Sequence, residues 1–143
     1  MVAVGVQAVI PIVVYGIPAP QGSKAPYGGE SNPRTKPWRA AVAAEAAGEM
    51  EGRTPLDGPV KVRAAFYFPR PKSHYGTGRN AAHVKDAAPD FHSVKPDGDK
   101  LARAIGDALT GIVFRDDSQI AVWRIVKRYG EPARCELEIS VAA

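Results

Sequence analysis

Lys95-Pro96-Asp97-Gly98-Asp99-Lys100-Leu101 opens a segment that runs through Asp107-Ala108-Leu109-Thr110-Gly111 and ends on Arg115-Asp116-Asp117-Ser118-Gln119-Ile120. Leu101, Ile105, Ala108 and Leu109 recur at i, i+4, i+7 and i+8, which predicts a short helix over Lys100–Leu109. Asp97 or Asp99 can accept the free amides at its start, and Gly111 ends it by a left-handed turn. Downstream, Ile120–Arg128 and Cys135–Val141 read as strands joined in a hairpin, with Cys135, Leu137, Ile139 and Val141 facing inward. Upstream, Val60–Phe68 is a strand with Val62, Ala64 and Phe66 on one face. Ala-rich Trp38–Met50 is a helix, entered through Pro37. A first strand lies near Ile12–Ile17, with Pro11 interrupting the pairing of an edge strand before it. The order β-loop-α-β-loop-α-β-β predicts a single α+β domain over residues 1–143, with a mixed sheet and two main helices. Two long loops, 18–37 and 69–95, are basic and long enough to expect a binding role.

A chain of 143 residues suits one domain, and 45% apolar with 24% charged residues is a globular composition. The single cysteine excludes an intrachain disulfide framework and fits a reducing cytoplasm. Residues 1–23 carry no charged side chain. Pro11, Gly16, Pro18 and Pro20 break that stretch below the roughly 20 apolar residues a spanning helix needs, so no membrane partner is expected. A signal peptide would also need a basic start. The net charge is +4. Residues 61–85 contribute Lys61, Arg63, Arg70, Lys72, Arg79 and Lys85 with no acid. Residues 97–117 place five aspartates against three basic residues, a local excess of negative charge in a basic chain.

Two carboxylates at i, i+2 before a helix are commonly caps, and adjacent aspartates before a strand are commonly a turn. Here the helix and its return loop are short enough to bring both ends of the segment to one sheet edge, where three or four carboxylates would converge. Converging like charges require a counter-ion. A hard divalent cation such as Mg²⁺ accepts carboxylate oxygens while keeping positions for water and phosphate, which suits phosphodiester hydrolysis. An EF-hand fails because Leu101 stands where a ligand belongs. A sugar-nucleotide transferase would need a larger nucleotide-binding domain.

The ordered sub-motifs Lys95-Pro96-Asp97-Gly98-Asp99, Asp107-Ala108-Leu109-Thr110 and Asp116-Asp117-Ser118-Gln119-Ile120 resemble those of the RusA family of Holliday-junction resolvases. The resemblance is strong over about 45 residues from Lys95 and extends in weaker form to Gly16-Ile17-Pro18-Ala19-Pro20. It implies a RusA-like, homodimeric crossover junction endodeoxyribonuclease that uses Mg²⁺, with Mn²⁺ as a substitute. Such an enzyme resolves four-way DNA junctions by paired nicks in recombination and repair. The family's essential acids fall on Asp97, Asp99 and Asp117, with Asp116 as a further candidate metal ligand. Its helix aspartate falls on Asp107, and its functional lysine on Arg103, which keeps the charge but does not readily give up a proton. Lys100 stands where the family has asparagine and is the other candidate for the phosphate-facing cation. The resemblance also implies a bacterial cytoplasm and a phage or prophage source. A general branched-DNA nuclease of phage genome processing and a catalytically lapsed junction-binding protein are the competing readings.

Lys24, Arg34, Lys36, Arg39, Arg70, Lys72, Arg79 and Lys95 are candidate phosphate contacts, and Tyr75 a candidate stacking residue. His74, His83 and His92 are expected at the surface, without zinc. Trp38, Trp123 and Cys135 are expected in apolar surroundings. The charge-poor N-terminus is expected to pair between subunits of the dimer.

Overall fold

The computed structural model describes residues 8–22 and 32–142. Strand β1 (Ile10–Tyr15) is followed by helix α1 (Thr35–Glu49), strand β2 (Val60–Phe68), helix α2 (Gly98–Leu109) and strands β3 (Ile120–Tyr129) and β4 (Arg134–Val141). They form one α+β domain around a mixed sheet of order β1-β4-β2-β3. Strand β4 runs antiparallel to both β1 and β2, and β2 runs parallel to β3.

Strands β3 and β4 therefore do not form the expected hairpin, because β2 lies between them. Burial explains the arrangement. In β4, Cys135, Leu137 and Ile139 are almost fully buried, which a central position satisfies from both sides. Strand β3 exposes Val122, Arg124 and Arg128 and suits an edge. Strand β1 also starts earlier than expected and contains Pro11, paired opposite Glu138. An edge strand tolerates a residue without an amide donor.

One sheet face builds the core. Ile12, Leu137, Ala64 and Ile125 form one row across it, and Val14, Cys135 and Phe66 another. Trp38, Val42 and Ala46 from α1, Met50 at its C-cap, and Leu101, Ala104, Ile105 and Leu109 from α2 cover it. Burial pushes the Cys135 thiol far up, so it packs as a small apolar group. Helix α1 begins at Thr35, three residues before the expected start, with Pro37 in its first turn. Buried Thr35 donates its hydroxyl to the Pro20 carbonyl at 2.8 Å, fixing the helix start to the beginning of the first loop.

The second loop is anchored at its end. The His92 amide donates to the Lys127 carbonyl at 3.0 Å, and the Tyr129 amide to the Asp90 carbonyl at 2.9 Å. His92 is thus buried, not at the surface as expected. Its ring stacks on Phe68 at 4.1 Å and lies 5.0 Å from Tyr129. Desolvation, and then the nearby Lys127 charge, lower its pKa. His74, half-buried, packs edge-on against Tyr129. No helix among the described residues is long and apolar enough to cross a membrane. Residues 1–7, part of the expected subunit-pairing segment, lie outside the described residues.

Candidate active site

Asp97 stands at the N-cap of α2, yet its carboxylate makes no capping bond, and Asp99 occupies the first turn. The capping expectation therefore fails for the Asp97 side chain. Its Oδ2 lies 3.7 Å from Lys100 Nζ. Side chains two residues apart at a helix start diverge by about 200°, and the two aspartates open into different clefts. Asp97 borders one of about 310 Å³ with Arg34, Lys95 and Lys100. Asp99 borders another of about 320 Å³ with Arg103, Gly106, Asp117, Trp123 and Ile125.

The convergence expected from the sequence is accordingly smaller. Among the described residues, no group of three or more His, Cys, Asp or Glu is close enough to hold a metal ion. Asp99 and Asp117 share a cleft, Asp97 faces its neighbour, and Asp116 is otherwise engaged. Asp116 caps a 3₁₀ turn over Asp117–Gln119. It accepts from the Ser118 amide at 3.3 Å and from the Ser118 hydroxyl. The hydroxyl bond, more than the amide, holds the Asp116 carboxyl below the usual carboxylate range.

Gln119 completes this turn, a role the sequence reading did not assign. Its Oε1 accepts from the Arg115 amide at 2.8 Å and the Asp116 amide at 3.1 Å. Its Nε2 donates to the carbonyls of Leu56 and Gly58, each at 2.9 Å. Four bonds from one side chain thus pin the turn that presents Asp117. The sequence signal was present, since Gln119 follows the aspartate pair, but two of its four partners are some sixty residues away in the chain. Helix α2 passes this turn at Gly106. A Cβ there would lie 3.4 Å from Asp117 Cβ and 3.6 Å from its Oδ2.

Arg103 makes no hydrogen bond or ion pair with a described residue, although Asp99 and Asp107 each lie four residues from it along α2. Asp107 instead accepts from Gln21 Nε2 at 2.5 Å and lies 3.7 Å from Arg39 Nη1. Arg39 also donates to Gln21 Oε1 at 2.6 Å. This triangle ties the first loop to both helices and places Asp107 and Arg39 in a structural role. Arg70 is similarly engaged. It donates to the Pro89 carbonyl at 2.8 Å, pairs with Asp90 at 3.4 Å and lies over the Tyr129 ring. Lys36, Lys72 and Arg79 are exposed, and Tyr75 is half-buried. Lys24 lies outside the described residues.

The donor set suits a hard cation. Asp99 and Asp117 are both exposed, share one cleft, and have no hydrogen-bond or ion-pair partner among the described residues. Mg²⁺ is commonly held by one or two carboxylates, with water and substrate phosphate filling the remaining positions. Two carboxylates beside an uncommitted guanidinium match that pattern.

The family model for endodeoxyribonuclease RusA matches residues 19–140. The chain is also 30% identical over 140 residues to the uncharacterised protein YqaN of Bacillus subtilis strain 168, covering 91% of this chain and 94% of that protein. With its mixed sheet, its acidic cleft and a family match across nearly the whole chain, this protein belongs to the RusA endodeoxyribonuclease family.

Proposed function

We propose that this protein is a Mg²⁺-dependent endonuclease that acts as a homodimer and resolves four-way DNA junctions by paired nicks. The observation that carries the reading is the cleft in which Asp99 and Asp117 face Arg103, beside a second cleft lined by Arg34, Lys95 and Lys100. Asp99 and Asp117 would hold the metal. When bound, Mg²⁺ supplies an activated water and offsets charge on the scissile phosphate. Arg103 neutralises the non-bridging phosphate oxygens. Arg34, Lys95 and Lys100 grip the neighbouring backbone. Asp97 borders the second of these clefts and, through its pairing with Lys100, orients a cation toward the strand. A four-way junction has approximate two-fold symmetry, and matched nicks call for two matched sites.

The test is cleavage of a mobile four-way junction in Mg²⁺, with Asp99→Asn as control. Three-way and flap substrates at the same salt concentration separate junction resolution from broader branched-DNA cleavage. Products ending in 5′-phosphate and 3′-hydroxyl are expected. Binding in Ca²⁺ without cleavage in Mg²⁺ would sink the enzymatic reading.

A further inference from the structure

Phe91 is 57% exposed and lines an open cleft of about 490 Å³ that also contains Asp99, Gly98, Ile125 and Lys127. An aromatic ring left in solvent beside a carboxylate of the candidate active site is not explained by core packing. Its support is rigid. The backbone on either side of it bonds to β3 through the His92 amide at 3.0 Å and the Asp90 carbonyl at 2.9 Å. The next residue, His92, is buried and stacked on Phe68 at 4.1 Å. The Arg128 guanidinium sits 4.5 Å from the ring centroid and fixes the ring's plane, so a planar ligand meets a surface already ordered.

We propose that Phe91, backed by Arg128, is a stacking platform for a nucleobase that has left its helix at the branch point. This assignment rests on the reading of Asp99 at the scissile phosphate. A base inside a duplex is covered on both faces and cannot reach such a ring. At a strand crossing, the bases flanking the branch have lost part of their stack, so extruding one costs least there. Stacking on an aromatic ring is sequence-tolerant and is worth roughly tenfold in affinity per base. Phe91 thereby favours branched over linear DNA without reading sequence, which is a specificity role distinct from metal or phosphate binding.

The test uses the full chain and a four-way junction carrying 2-aminopurine next to the crossing, with Ca²⁺ in place of Mg²⁺ so that no strand is cut. Wild-type binding should raise the fluorescence severalfold as the base leaves its stack. Phe91→Ala should abolish the rise and weaken junction binding about tenfold, with duplex binding unchanged within about twofold. Phe91→Trp should retain junction affinity. Because Phe91 is exposed, circular dichroism should show both variants folded. An alanine variant that keeps the wild-type preference for junction over duplex, or keeps the fluorescence rise, overturns the assignment, as does a wild type that produces no rise. Failure of the wild type to cut in Mg²⁺ would instead strike the nuclease reading, since the platform is read without cleavage.

Discussion

Asp116 and Asp117 are adjacent in the chain, but Ser118 holds one while the other opens into the cleft with Asp99. Asp117→Asn is expected to lower junction cleavage by at least about 100-fold, because it removes one of two candidate carboxylate ligands. Asp116→Asn should cost less than about threefold, since asparagine caps a turn nearly as well as aspartate. Single-turnover cleavage rates in Mg²⁺ compare the two. At this scale the sequence supplied the aspartates themselves but not their division of labour, which depends on the rotation of the helix start and on one serine hydroxyl. His92 shows the same limit. Its loop is polar and rich in glycine and proline, so nothing local signals that it stacks on Phe68 beside Tyr129. Its lowered pKa carries a sign. The unfolded imidazole takes up a proton near pH 6.5, the folded one only below that. Stability present above pH 6.5 is therefore lost as the pH falls below it. His92→Phe should flatten this part of the Tm–pH curve, measured by thermal melts from pH 7.5 to 5.

Helix α2 was legible because its apolar face repeats at helical spacing and Gly111, at φ 82°, ends it as expected. Strand β2 was legible for the matching reason, its alternation of buried and half-exposed residues. The placement of β4 was not, since the turn after β3 resembles that of a hairpin and only long-range burial sends β4 between β1 and β2. The triangle of Gln21, Arg39 and Asp107 joins three elements that are remote in sequence, which is why periodicity did not reveal it. Asp107→Ala removes a charged acceptor and leaves Gln21, nearly buried, short of a partner. A loss of about 1 kcal/mol in urea unfolding is expected, toward the low end for bonds to charged groups because Asp107 is itself exposed. DNA affinity should fall with it, since the loop entering at Gln21 leads into Lys24 and Arg34.

For the molecule as a whole, the net charge of +4 matters less than its arrangement around the start of α2. Arg34, Lys95 and Lys100 line one cleft, so replacing any of them by alanine should weaken binding to all DNA about equally. Each should also reduce the slope of log affinity against log salt by about one, measured by fluorescence anisotropy. The proposed homodimer calls for sedimentation of the full chain against one lacking residues 1–11, and loss of the dimer in the shorter chain is the expected result. The two rims of the sheet carry a further consequence. Pro11 interrupts the amide donors along β1, and the segment around Phe91 bridges onto Arg128 of β3. Among the described residues, neither rim offers a long unbroken ladder to a stray strand. Edges interrupted in this way work against fibrillar self-association, the usual hazard of an open β-sheet.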